Sequence, residues 1–121
     1  MTEAIETFFA AWGETDAEKR AGMIAGAMGD GFTYADPRTP GPIHEIGALT
    51  DYVAMFSANA PGWQARAERI DTTAGHHRAT VSFGGMGPDG QEMRQVGQYF
   101  AETDETGRIV TLVGFVGLGE I

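Results

Sequence analysis

Apolar residues fall at Ile5, Phe8, Phe9 and Trp12, the i, i+3, i+4, i+7 stripe of an amphipathic helix over residues 2–12 that Gly13 ends. Thr15 or Asp16 is placed to cap a second helix, with Met23, Ile24, Ala27 and Met28 facing inward and Gly29 or Gly31 closing it. Residues 32–36 change period. Phe32, Tyr34 and Asp36 share one face of an extended segment, and Thr33 and Ala35 the other. Pro37, Pro40, Gly41 and Pro42 then break regular structure. Leu49, Tyr52, Val53 and Phe56 repeat the helical stripe for a third helix, stopped before Pro61-Gly62.

The second half reads as strands. Residues 63–73 form one, and residues 76–84 alternate His77, Ala79, Val81 and Phe83 against His76, Arg78, Thr80 and Ser82. Pro88-Asp89-Gly90 signals a turn, and two more strands over 91–103 and 108–118 flank Glu105-Thr106-Gly107. In the last strand Ile109, Val113 and Phe115 are read as pointing one way, and Val110, Leu112 and Val116 the other. Three helices followed by a meander of long strands define an α+β domain, a single one over residues 1–121.

Glycine is over-represented, at 18 of 121 residues, roughly twice the usual share. Gly84, Gly85, Gly97, Gly114 and Gly117 lie inside the expected strands, where glycine marks bulges and bends. A sheet bent in this way over helices encloses a cone, and a cone has room for a pocket.

Composition narrows the function classes. Eight basic against 17 acidic residues leave a net charge of −9, with no basic stripe to neutralise phosphates, so nucleic acid and anionic membrane are poor partners. There is no cysteine, and hence no disulfide, thiolate nucleophile or Cys-based zinc site. No apolar run reaches the ~18 residues of a membrane helix, and the acidic start lacks a basic leader region, so the expected location is cytoplasmic. His76 and His77 are neighbours on a strand, point to opposite faces and cannot share an ion, so no metal site is expected.

Tyr34-Ala35-Asp36-Pro37, Pro42-Ile43-His44, Leu49 and Tyr52, and the ending Asp104-Glu105-Thr106-Gly107-Arg108-Ile109 before Gly114-Phe115 occur in an order and spacing that resembles the nuclear transport factor 2-like superfamily. Within it, the SnoaL-like polyketide cyclases and the ketosteroid isomerases are most similar. The resemblance implies three N-terminal helices on a strongly curved, mostly antiparallel sheet, and a homodimer formed through the outer face of that sheet. It also implies a pocket in the cone for a small apolar molecule, with no cofactor.

Asp36 then becomes the principal candidate. Its position resembles that of the isomerases' aspartate general base, which also precedes proline. A carboxylate among aromatic rings is desolvated, and desolvation is what fits such a group for proton transfer near neutral pH. The alternative is that Asp36 before Pro37 simply starts a solvent-facing turn. The isomerases place two oxyanion donors, a tyrosine on the first helix and a protonated aspartic acid on a late strand. Here those positions fall on Phe8, which cannot donate, and Tyr99, which can, an arrangement that argues against steroid isomerisation. Asp36 and Tyr99 are therefore the candidate acid/base pair. Phe8, Trp12, Phe32, Tyr34, Tyr52, Phe56, Trp63, Gln95, Leu112 and Val116 are the candidate pocket residues. The competing reading, a non-catalytic ligand-binding or dimerisation module, treats the same rings as core.

Overall fold

The computed structural model describes residues 2–119. Helix α1 (Glu3–Ala10) buries Ile5, Phe8 and Phe9, and its first turn carries Glu3 and Glu6, where the helix dipole favours acids. The helix is shorter than its apolar stripe. Residues Ala11–Gly13 tighten into a 3-10 turn, which still buries Trp12. Gly13 closes that turn where a Cβ would press 2.9 Å from the Gln64 side chain.

Helix α2 (Ala17–Ala27) is capped by Asp16, whose side chain accepts from the backbone N–H groups of Glu18 and Lys19. It ends without a glycine: Met28, expected inside the helix, is the first residue of strand β1 (Met28–Ala35). Gly29 and Gly31 therefore lie in the strand. Gly31, at φ +70°, occupies the register shift between Met28 and Thr33, where an L side chain would be strained. Helix α2 also buries Arg20, which the apolar pattern did not mark. Its guanidinium donates to the Glu14 carbonyl at 3.1 and 2.7 Å and to Ser57 Oγ at 3.3 Å, tying α2 to helix α3 (Ile46–Asn59).

Strands β2 (Gln64–Thr73), β3 (His76–Met86), β4 (Glu92–Thr103) and β5 (Ile109–Val116) follow in antiparallel succession. The sheet order is β1-β5-β4-β3-β2, with β1 parallel to β5. Bulges interrupt β2 at Ala67/Arg69 and the β4–β5 pairing at Glu102/Thr103, and such bulges bend and twist a sheet. The bulge beside β5 corrects the sequence reading of that strand. Ile109 is not on the outer face with Val113 and Phe115; it is fully buried, as is Leu112.

The core lies between the helices and the concave sheet face. It joins Ile5, Phe8, Phe9 and Ile24 to Leu49 and Val53 of α3 and to Ala79, Val81, Tyr99 and Leu112 of the sheet. The architecture is the curved α+β cone anticipated from the chain. His77 is buried between the hydroxyls of Thr72 (2.8 Å) and Thr103 (3.2 Å), while His76 reaches Glu102 at 3.1 Å, so the two imidazoles occupy different faces.

Candidate functional site

Asp36 follows the last residue of β1 and opens a tight turn. The Thr39 N–H donates to the Asp36 carbonyl at 3.2 Å, Pro37 occupies the position where its fixed φ suits a turn, and the Thr39 hydroxyl donates to the same carbonyl at 3.0 Å. The loop is tethered on its far side by a two-bond bridge between Tyr34 and Ile43, at 2.9 and 2.7 Å. His44 adds a contact from Nδ1 to the Phe32 carbonyl oxygen at 3.2 Å. Asp36 thus does start a turn, as the simpler reading had it, but its side chain turns back to the protein.

Four donors converge on the carboxylate. Oδ1 accepts from the backbone N–H of Arg38 (2.8 Å) and of Thr39 (3.1 Å). Oδ2 accepts from the Tyr34 hydroxyl at 2.6 Å. The Tyr52 hydroxyl bridges both oxygens, at 2.8 and 2.7 Å. The Tyr99 ring stacks beside that of Tyr34, with centroids 6.4 Å apart. The chain contains three tyrosines; two hold the carboxylate and the third, Tyr99, packs beside them.

The network holds its phenols neutral. Burial pushes the Tyr34 hydroxyl well above the usual phenol range, reinforced by the neighbouring Tyr99 and Asp36. Tyr52 is raised by burial and then by its hydrogen bond to Asp36. Tyr99 is raised mainly by burial and further by the Asp36 charge, against the opposing effects of the neighbouring Tyr34 hydroxyl and the Arg38 charge. These hydroxyls therefore stay protonated at any physiological pH and serve as hydrogen-bond donors, not as tyrosinate bases.

A cavity of about 910 Å³ opens beside this cluster, between α3, the 3-10 turn and the concave face of β3 to β5. Its lining brings together Asp36 and Tyr99 with Trp12, Tyr52, Phe56, Trp63, Gln95 and Val116 from the sequence reading. Four other candidates lie elsewhere. Phe8, Phe32, Tyr34 and Leu112 are at most 5% exposed and pack beneath the cavity as core. Phe8 supports the site indirectly, with its ring centroid 5.6 Å from that of Tyr34.

Reading by apolar period overlooked Arg38, Phe83, Met55 and Asn59, which also line the cavity. Phe83 had a detectable signal, since it alternates inward with Val81; Arg38 lay in a proline-rich loop where no period operates. Trp12 leaves its indole N–H buried without an acceptor among the described residues.

Gly114 is what lets Tyr99 reach the site. The two residues are paired across β4 and β5, and a Cβ at Gly114 would fall within contact of the Tyr99 ring edge, too close to be accommodated without a shift.

No protein-family model matches the sequence, and no curated protein sequence is significantly similar to it. Solved structures are. A SnoaL-like family protein from Agrobacterium tumefaciens superposes with a TM-score of 0.79 at 23% identity, covering 96% of each chain. An NTF2-like protein of unknown function from Exiguobacterium gives 0.73 at 20% identity, over 97% of this chain and 99% of that one. A protein with a ketosteroid isomerase-like fold from Catenulispora acidiphila, solved with trimethylamine, gives 0.75 at 14% identity, over 96% and 86% of the two chains. The chain has the nuclear transport factor 2-like fold, and its solved structural neighbours include SnoaL-like and ketosteroid isomerase-like proteins. At these identities the likeness establishes the fold, which hosts unrelated functions, and the function must be argued from the site.

Proposed function

We propose that the cavity binds a small apolar carbonyl compound and that Asp36 and Tyr99 carry out cofactor-free acid/base chemistry on it, of the isomerase, cyclase or lyase kind. The observation that carries this reading is the position of the Asp36 carboxylate, at the wall of an aromatic cavity that Tyr99 also lines. In the proposed step a proton leaves the carbon next to the carbonyl for an Asp36 oxygen. The C–H electron pair moves into the carbon framework and the charge develops on the carbonyl oxygen. Tyr99 steadies that oxygen by donating its O–H to it. Asp36 then gives the proton back, to another carbon in an isomerisation, to the alkoxide formed when the enolate carbon attacks a second carbonyl in a cyclisation, or to the departing oxygen in an elimination, and so returns to its starting state.

Tyr52 is the gate in this scheme. Of the two phenols on Asp36, Tyr52 lines the cavity and Tyr34 does not, so Tyr52 must release one carboxylate oxygen before that oxygen can take a proton. The same crowding supports a second reading, a non-catalytic binding module in which Asp36 only orients phenols. Titration with 1-tetralone separates the possibilities. Saturable quenching of Trp12 and Trp63 fluorescence is expected, and a linear, unsaturating response up to the ketone's solubility would rule out the pocket. Saturation without any acceleration of α-proton exchange in D2O would favour the binding module.

The proposal includes a homodimer. Phe100 and Phe115 are 44% and 55% exposed and lie edge to face, 5.6 Å between ring centroids. Alternation puts them on the side of the sheet opposite Tyr99, where exposed aromatic pairs suit an interface.

A further inference from the structure

Arg38 is the cation that lines the cavity, and it stands apart from most arginines of the sheet. Arg66, Arg69, Arg78 and Arg94 each hold a carboxylate oxygen, at 3.7, 3.2, 3.0 and 2.9 Å. Arg38 forms no such ion pair among the described residues. Its side chain donates one hydrogen bond, from Nη2 to the Gln95 side-chain oxygen at 3.2 Å, which spans the cavity rim from the loop after β1 to β4. A guanidinium carries five N–H donors, so the Gln95 bond uses only a small part of the capacity of this exposed side chain. Its backbone N–H donates to Asp36 Oδ1 at 2.8 Å, which fixes the residue beside the Asp36 cluster.

The other charge on the lining is Asp36, whose oxygens already accept four donors. The charged group on the lining with hydrogen-bonding capacity to spare is therefore the cationic donor Arg38, in a chain whose net charge is −9. Trp63, Phe56 and Trp12 supply apolar walls behind it.

We infer that the natural ligand is an apolar body bearing a carboxylate, whose charged end is received by the Arg38 guanidinium while its ring system enters the aromatic cavity. Gln95 is the positioning residue that holds the guanidinium across the rim. The inference rests on the cavity being a ligand pocket, and it assigns the ligand's chemical class where the acid/base reading assigned only its apolarity. Arginine suits the task because its planar fork matches a carboxylate with two parallel hydrogen bonds.

Three probes with one naphthalene body test it by calorimetric titration: 2-naphthoate, 2-acetonaphthone and N,N,N-trimethyl-2-naphthylammonium. The wild-type chain is expected to bind 2-naphthoate roughly tenfold or more tighter than the ketone, the range of a charge-assisted hydrogen bond. Arg38→Gln should erase that preference by lowering naphthoate affinity to that of the ketone, and Arg38→Lys should restore part of it. Arg38 is exposed, so its replacement leaves the core intact. Equal or tighter binding of the ketone overturns the inference and leaves the pocket standing. Preference for the ammonium probe overturns it in favour of the rings and Asp36 as a cation cage. Retention of the naphthoate preference in Arg38→Gln overturns the role of Arg38, and failure of all three probes to bind removes the pocket and the inference together.

Discussion

Replacing Asp36 with Asn tests the network at its centre. The asparagine oxygen still accepts the N–H groups of Arg38 and Thr39, which lie 2.8 and 3.1 Å from Oδ1. The trouble falls on the other side. An amide NH2 in place of Oδ2 faces the Tyr34 hydroxyl at 2.6 Å, donor against donor, and Tyr34 is fully buried with no water to turn to. The Tyr34 hydroxyl is then left without the acceptor it had. Hydrogen bonds to a charged group contribute about 1.5–3 kcal/mol, and a buried donor left unmet costs about 1–3 kcal/mol. With part of the Tyr52 bond retained, the net cost of Asp36→Asn is about 2 kcal/mol, or roughly 5–10 °C in Tm for a domain of this length. Urea denaturation at fixed protein concentration measures it, in a cycle with Tyr34→Phe. The two substitutions remove the same bond, so the double variant should be less destabilised than the sum by about 1 kcal/mol or more. Additive effects, or an Asp36→Asn variant as stable as wild type, would refute the claim that phenols hold this carboxylate.

Three other outcomes follow from the same geometry. All three tyrosines have pKa values above the unfolded phenol value of ~10, so the folded state binds more protons than the unfolded state above that pH. Their stabilisation is complete below about pH 10 and is lost as pH rises past it; tyrosinate absorbance near 295 nm should appear only together with unfolding, and its appearance in a folded chain at pH 10 would contradict the burial of the cluster. Gly114→Ala should cost about 1–3 kcal/mol in thermal or urea unfolding and weaken 1-tetralone binding, since Tyr99 must move off the new Cβ. Light scattering should give twice the 12.9 kDa chain mass for wild type and the single mass for Phe100→Glu; a monomeric wild-type protein would remove the sheet-face interface.

The periodic segments were legible in the chain. The i, i+3, i+4, i+7 stripes of Ile5 to Trp12 and of Leu49 to Phe56 correspond to α1 with its 3-10 turn and to α3, and the alternation from His77 to Phe83 corresponds to β3. The errors fall where backbone irregularity breaks the period. A bulge beside β5 turned Ile109 inward, and β1 began at Met28, where local propensity suggested more helix. Depth was the other obstacle. Phe8, Phe32, Tyr34 and Leu112 face the concave side as alternation and helical spacing implied, yet lie below the cavity surface, because period gives a side chain's direction and not how many layers cover it. Arg38 lay beyond both kinds of signal: an arginine in a proline-rich loop acquires meaning only when Gln95, 57 residues later in the chain, comes within 3.2 Å of it.

The most direct test of the acid/base account is proton exchange at the α-carbon of bound 1-tetralone, followed by NMR in D2O on samples whose ketone occupancy is fixed beforehand by tryptophan quenching. Exchange is expected above the buffer rate, saturating with the binding curve, falling to the buffer rate in Asp36→Asn and slowed in Tyr99→Phe. Full occupancy with exchange no faster than in buffer, or equal exchange in Asp36→Asn, would contradict it.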